Sequence, residues 1–228
     1  MNPCTIESTR ENKKRSAASI SSSVFRIRKY THWNDVDNTY YESMTNTTIL
    51  TDLLSSYEIE AFRLETLPVY AVSQEKEEFE HFLRTGKVQG NDTLEAYIIE
   101  QSQKIKEWKS HVRARVIPNP ITDYFVYETQ TGYIPQEKVW FLFSFLEDDE
   151  FYDAILSYFG DTTDYWLFDK KHLVAMKYDD MGAFLGAELV ENSVELDRAI
   201  AIRDAIVEKG HPLSYVLDSY REIKRATT

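Results

Sequence analysis

Arg113 and Arg115 are the two residues of this 228-residue chain whose type and spacing point most directly to chemistry. They stand in the alternating run Val112-Arg-Ala-Arg-Val-Ile-Pro118. Side chains two apart on a strand share a face, so both guanidinium groups point one way while Val112, Ala114 and Val116 point the other. Asn119-Pro120 follows at once and reads as a helix N-cap with proline at the first helical position. Two forked guanidinium groups beside the free N–H groups of a positive helix end suit an anion, a phosphate or a carboxylate. Arg63, Asn119, Asp123, Glu128 and Asp169 complete this candidate anion- or ligand-binding set. The same arginines admit a structural reading, in which they pair with Asp123, Glu128, Glu65 or Asp169 across a sheet.

Carboxylates crowd a second stretch, with Asp164, Asp169, Asp179, Asp180 and Glu188 within 25 positions. Paired carboxylates do acid–base work or hold magnesium when their environments split their pKa values. Asp179-Asp-Met-Gly182, however, falls where a hairpin turn is expected, and such turns use aspartate for local hydrogen bonds. Strong catalytic signatures are absent from the sequence. Gly86-Lys87 continues to Val88 rather than to Ser or Thr, and there is no Gly-x-Ser-x-Gly elbow and no His-Glu-x-x-His pair. His32, His81, His111, His172 and His211 are scattered, and Cys4 is the single cysteine. The reading is therefore no metal, no cofactor, no disulfide and no assigned catalytic residue.

The elements that must position these groups follow from periodicity and punctuation. A helix is expected from Thr48 to Ala61, with Leu50, Leu53, Leu54 and Tyr57 on one face. A strand follows over Phe62 to Leu67, alternating Phe62 and Leu64 against Arg63 and Glu65. Ser73 reads as the N-cap of a helix stopped by Gly86, and Asp92 with Glu95 opens a long one to about Ser110. After the arginine strand come a helix from Pro120 to about Thr131 and a continuous apolar run, Val139 to Leu146, that suits a central strand. Glu147 to Phe159 reads as a helix. Asp164 to Glu188 then forms strands in tight succession, with Trp166 and Phe168 facing opposite Tyr165 and Leu167. Asn192 starts a last long helix ending at Gly210, and a short one runs from Leu213 to about Lys224. Interleaved strands and helices of this kind predict a mixed α/β domain, an open mixed sheet of about six strands with helices on its faces and antiparallel C-terminal strands.

Charge divides the chain. Residues 1–30 hold Arg10, Lys13, Lys14, Arg15, Arg26, Arg28 and Lys29 against Glu7 and Glu11, a net of +5. That leaves −17 on the remainder of a chain whose formal charge is −12. So acidic a body repels phosphate backbones, and nucleic acid is expected only through the basic tail, with Lys13, Lys14, Arg15, Arg26, Arg28 and Lys29 as the contacts. Residues 1–24 read as a disordered tail, 25–47 as an aromatic arm packing on the body, and 48–228 as a single domain. The longest apolar run is far shorter than the ~20 residues a membrane helix needs, so the expectation is a cytoplasmic protein without a membrane span.

Several segments taken together carry a family resemblance: Phe62-Arg-Leu-Glu65, Tyr70 to Gly86, Val112 to Phe125, Asp164-Tyr-Trp-Leu-Phe-Asp169, Tyr178 to Glu188, Arg203-Asp204 and His211-Pro-Leu213. Over about residues 48–216 the chain resembles a domain family of unknown function, mostly actinobacterial, found near helix-turn-helix regulators. Its layout is similar to a catalytically silent half of the phospholipase D-like fold, whose active members need His-x-Lys-x-x-x-x-Asp. Here His111 leads to Arg113 and His172 to Val174. The resemblance thus implies a non-enzymatic regulatory or interaction protein with a protein partner, such as a DNA-binding regulator or a toxin–antitoxin or defence-type system. The rival expectations are an enzyme on phosphorylated substrates, using the arginines with Asp169 or Glu188, and nucleic-acid binding through the tail.

Overall fold

Six strands with the expected alternation form one sheet in the computed structural model, which describes residues 47–89, 92–139, 141–147, 164–220 and 223. They are β1 (Glu60–Glu65), β2 (Ser110–Ile117), β3 (Leu142–Glu147), β4 (Tyr165–Phe168), β5 (His172–Tyr178) and β6 (Phe184–Val190). Their spatial order is β3-β2-β1-β4-β5-β6. β1, β2 and β3 run parallel, and β1–β4, β4–β5 and β5–β6 pair antiparallel. The helices are α1 (Thr47–Ser56), α2 (Lys76–Thr85), α3 (Asp92–Lys106), α4 (Asp123–Glu128), α5 (Ile134–Glu137), α6 (Ser193–Lys209) and α7 (Leu213–Ser219). A π turn, Thr129–Tyr133, joins α4 to α5. The open mixed α/β sheet with antiparallel C-terminal strands is the one the sequence implied.

Alternation assigns each strand residue to a face. On one face Phe62, Leu64, Val112, Ala114, Val116, Leu146, Tyr165, Leu167 and Leu173 meet Ala199, Ile202 and Ile206 of α6. At about 1.5–3 kcal/mol for each large apolar side chain removed from water, this layer fixes α6 to the sheet. The opposite face carries two apolar clusters. Trp166, Phe168, Val174, Met176 and Ala187 pack with Tyr57 and with Leu50, Leu53 and Leu54 of α1. Phe145 packs with Tyr70, Phe82, Tyr124, Phe125, Tyr127 and Tyr133, and with Leu213 and Val216 of α7. The arginine strand runs between these clusters.

Local punctuation explains which boundaries held and which moved. Gly86 ends α2 in the left-handed region at φ 68°, and Asn192 Oδ1 caps α6 by accepting from Val194 N and Glu195 N. α1 stops at Ser56 rather than at Ala61, because Ala61 is a strand residue paired on one side with His111 and on the other with Phe168. Ser73 opens a 3-10 turn, Ser73–Glu75, and donates to Gln74 Oε1; the residue before α2 is Glu75. Asn119 and Pro120, joined by a cis peptide bond, stand exposed ahead of the helix. The cap of α4 is Thr122, whose Oγ1 accepts from Phe125 N at 3.1 Å and donates to the Pro68 carbonyl at 2.8 Å.

β3 is an edge strand, not a central one. Its apolar run reflects cover from helices on both faces, with Leu146 against α6 and Phe145 in the α4–α7 cluster. Its outer side is met at one point by His211, which exchanges two backbone hydrogen bonds with Phe145 at 2.8 and 2.7 Å. The readings made for the basic tail, the aromatic arm before Thr47, Trp140 and most of the helix at Glu147 to Phe159 lie outside the described residues. Lys13, Lys14, Arg15, Arg26, Arg28 and Lys29 are among them. No described helix is long and apolar enough to cross a membrane.

Candidate functional site

The parallel register of β1 and β2 sets Arg63 beside Arg113 and Glu65 beside Arg115, all on the face between the two apolar clusters. Glu65 is 1% exposed and Arg115 is wholly buried. Arg113 grips Glu65 with two nitrogens: Nη2 donates to Oε1 at 2.8 Å and to Oε2 at 2.7 Å, and Nε to Oε2 at 3.1 Å. Its Nη1 donates to Gln136 Oε1 at 2.8 Å, and Nη2 also reaches Glu128 Oε1 at 3.2 Å. Arg63 Nη2 lies 2.9 Å from the same Glu65. Arg115 Nη1 donates to the Leu67 carbonyl at 2.5 Å, and Nη2 stands 3.5 Å from Glu128 Oε2. Aromatic rings close the rest, with Arg113 over Tyr133 at 4.8 Å, Arg115 over Tyr70 at 4.9 Å and Arg63 over Trp166 at 5.3 Å.

Burial alone would raise the Glu65 carboxyl, but Arg113, then Arg63 and Arg115, outweigh it and hold it below its ordinary value of 4.5. Asp164, at the start of β4, behaves oppositely. It is buried, and burial raises its carboxyl against the hydrogen bonds from the Tyr70 hydroxyl and from Thr66 N and Oγ1. Three arginines are thus met by Glu65 and Glu128, while Asp164 is held by neutral donors. Arg113 and Glu65 close on one another, so the fork geometry that would grip a ligand anion grips Glu65, while Arg115 Nε and Nη2 and Arg63 Nε are buried without a hydrogen-bond partner among the described residues.

Other residues singled out from the sequence lie elsewhere. Asp123 and Asn119 are exposed beside the start of α4. Asp169, in the β4–β5 turn at φ 53°, accepts from Glu58, Ile59 and Glu60 N at 3.0, 2.7 and 2.9 Å, at the opposite end of β1 from Glu65. Burial opposes its charge, yet those three amides hold its carboxyl low. Asp179 ties its own turn by accepting from Met181 and Ala183 N at 2.9 and 2.8 Å, and Glu188 pairs with Lys177 on the surface. The carboxylates crowded in sequence are therefore dispersed in space. Among the described residues no group of three His, Cys, Asp or Glu is placed to hold a metal ion.

Sequence reasoning missed Gln136, Tyr133 and Tyr70. Tyr133 and Gln136 reach the arginines because a π turn rotates the helix, and no periodicity signals that turn. Tyr70 comes from a loop, where the only clue was its aromatic character.

A second feature lies past the carboxyl end of β1. The loop after β1 lies against the Asp179–Ala183 turn: Ala71 N donates to the Gly182 carbonyl at 2.9 Å, and a Cβ on Gly182, at φ 81°, would fall 2.4 Å from the Val69 carbonyl. Only glycine permits that approach. At this end of the sheet Met181 is 77% and Leu185 64% exposed, and Val69, Val72 and Phe184 are exposed to a smaller extent. Tyr178 supports this end from below, with Tyr70 at 5.3 Å and Phe184 at 5.9 Å. Large exposed apolar side chains at one end of a sheet are candidates for a binding surface.

No curated protein and no solved structure matches the chain. One family model, described as a domain of unknown function (DUF6879), matches residues 49–217. The match runs from α1 into α7 and takes in both the arginine–glutamate cluster and the apolar end, so the chain belongs to the DUF6879 family.

Proposed function

We propose that this protein is a non-enzymatic regulatory or interaction module that binds a protein partner through the apolar end formed by Val69, Val72, Met181, Phe184 and Leu185. The observation that carries the reading is the contrast between the two features. The donors of Arg113 are engaged by Glu65, Glu128 and Gln136, and Arg115 Nη1 by the Leu67 carbonyl, in an interior closed by aromatic rings, whereas the large apolar side chains at the sheet end face solvent. The family resemblance read from the sequence supports a DNA-binding regulator, or a member of a toxin–antitoxin or defence-type system, as the partner. The missing His-x-Lys pattern supports a role without turnover.

Affinity purification from the native host tests this with wild type and a Met181→Asp/Leu185→Asp variant. A partner retained by wild type and lost by the variant is expected, with unchanged thermal unfolding, because both positions are already in water. Turnover of phosphodiesters, nucleotides or lipids by purified protein, lost in a normally folded Arg63→Gln variant, contradicts the reading.

A further inference from the structure

Glu75 closes the 3-10 turn between the loop that carries the exposed Val69 and Val72 and α2, and its side chain turns toward α4. There Tyr124 Oη donates to Glu75 Oε2 at 3.1 Å, and Tyr127 Oη donates to Glu78 Oε2 at 3.0 Å. Phe79 packs on Tyr124 and Tyr127, with ring centroids 5.4 and 5.2 Å apart. α2 therefore rests on α4 through aromatic contact and two tyrosine–glutamate bonds.

The groups facing Glu75 are Tyr124, Tyr127 and Glu128 from α4, Arg113 from β2 and Glu78 from α2 itself. Three carboxylates thus approach one another, with Arg113 the one arginine that acts on Glu75 and with Arg115 reaching Glu128 at 3.5 Å. Arg113 spends three of its contacts on Glu65 and one on Gln136, and touches Glu128 at 3.2 Å. An ionised Glu75 stands half-buried among like charges, whereas a protonated one keeps the Tyr124 bond without repulsion.

We propose that Glu75 is a proton-operated latch: protonated, it ties the segment 66–85 to α4, and ionised, it loosens that segment and the valines it carries. The electrostatics agree. Burial first, and then Glu128 and Glu78 against the Tyr124 bond and Arg113, push the Glu75 carboxyl from 4.5 up to about 7. The folded chain then holds a proton between those values that the unfolded chain has lost, so stability falls as pH rises through that window and levels above it. Control of binding by this latch rests on the partner surface proposed above; the latch itself does not.

Hydrogen exchange of the full chain at pH 6 and pH 8, corrected for intrinsic rates and read by mass spectrometry, tests it without a partner. In wild type the amides of 66–85 should exchange up to about tenfold faster at pH 8, the effect of about one pK unit, while β4 and β5 stay unchanged. Glu75→Gln should abolish the difference, and Glu128→Gln should move its midpoint to lower pH. Equal protection of 66–85 at both pH values in wild type, or the same pH dependence in Glu75→Gln, overturns the latch and leaves the partner reading to its own test.

Discussion

Replacing Glu65 with glutamine should destabilise the fold by about 3–5 kcal/mol, the cost of stranding a buried charge without its partner. Glu65 sits between three guanidinium groups and accepts two-nitrogen donation from Arg113. The amide has nearly the same shape but no charge, so the buried Arg113 and Arg115 would keep only Glu128 as a charged partner among the described residues, with Arg63 partly in water. Urea unfolding should show a lower midpoint with an unchanged slope, because the surface exposed on unfolding stays the same. The same substitution alters the acid limb. The Glu65 carboxyl is held below its ordinary value, so the stability it contributes is present above that value and is lost as pH falls through the folded one. Glu65→Gln should remove that part of the acid slope.

Gly210→Ala is expected to cost about 2–3 kcal/mol through overpacking, seen as a fall in Tm of roughly 5–10 °C. Gly210 has φ −70°, so conformation does not demand glycine there; space does. A Cβ would fall 1.8 Å from Ser144 Oγ, 3.0 Å from Ser144 Cβ and 2.8 Å from the Ile206 carbonyl. Ser144 Oγ donates to that carbonyl at 2.7 Å, so the end of α6 is docked onto β3 at this point. The next residue, His211, makes the backbone bridge to Phe145. Removing Ser144 Oγ relieves only the closest overlap. Ser144→Ala combined with Gly210→Ala should therefore recover part of the loss, and thermal unfolding of the two single variants and the double measures the coupling.

The sheet was legible because its strands obey a period of two that burial on both faces leaves intact, as in Phe62, Leu64, Val112, Ala114 and Val116. The shared face of Arg113 and Arg115 followed from the same rule, and Glu65 could be named as a partner because it alternates with Phe62 and Leu64. Asp169 could not be placed, since its distance from the arginines depends on the antiparallel register of β1 and β4, which sets it against Glu58–Glu60. β3 reads as central because helices bury both its faces, and sequence does not distinguish cover by helices from cover by neighbouring strands. The Asn119-Pro120 signal misled in another way: it is a good helix start, but Thr122 offers an oxygen to Phe125 N that also ties the loop to Pro68.

The most direct test of a self-closed arginine cluster is the NMR signal of the Arg113 and Arg115 Nε–H groups during titration with inorganic phosphate. Slow exchange with water and no change on adding phosphate are predicted, because Glu65 holds Arg113 Nε and the Tyr70 and Phe125 rings enclose Arg115. Rapid exchange, with saturable shifts of both signals as phosphate binds, would contradict the account and make the cluster an anion site.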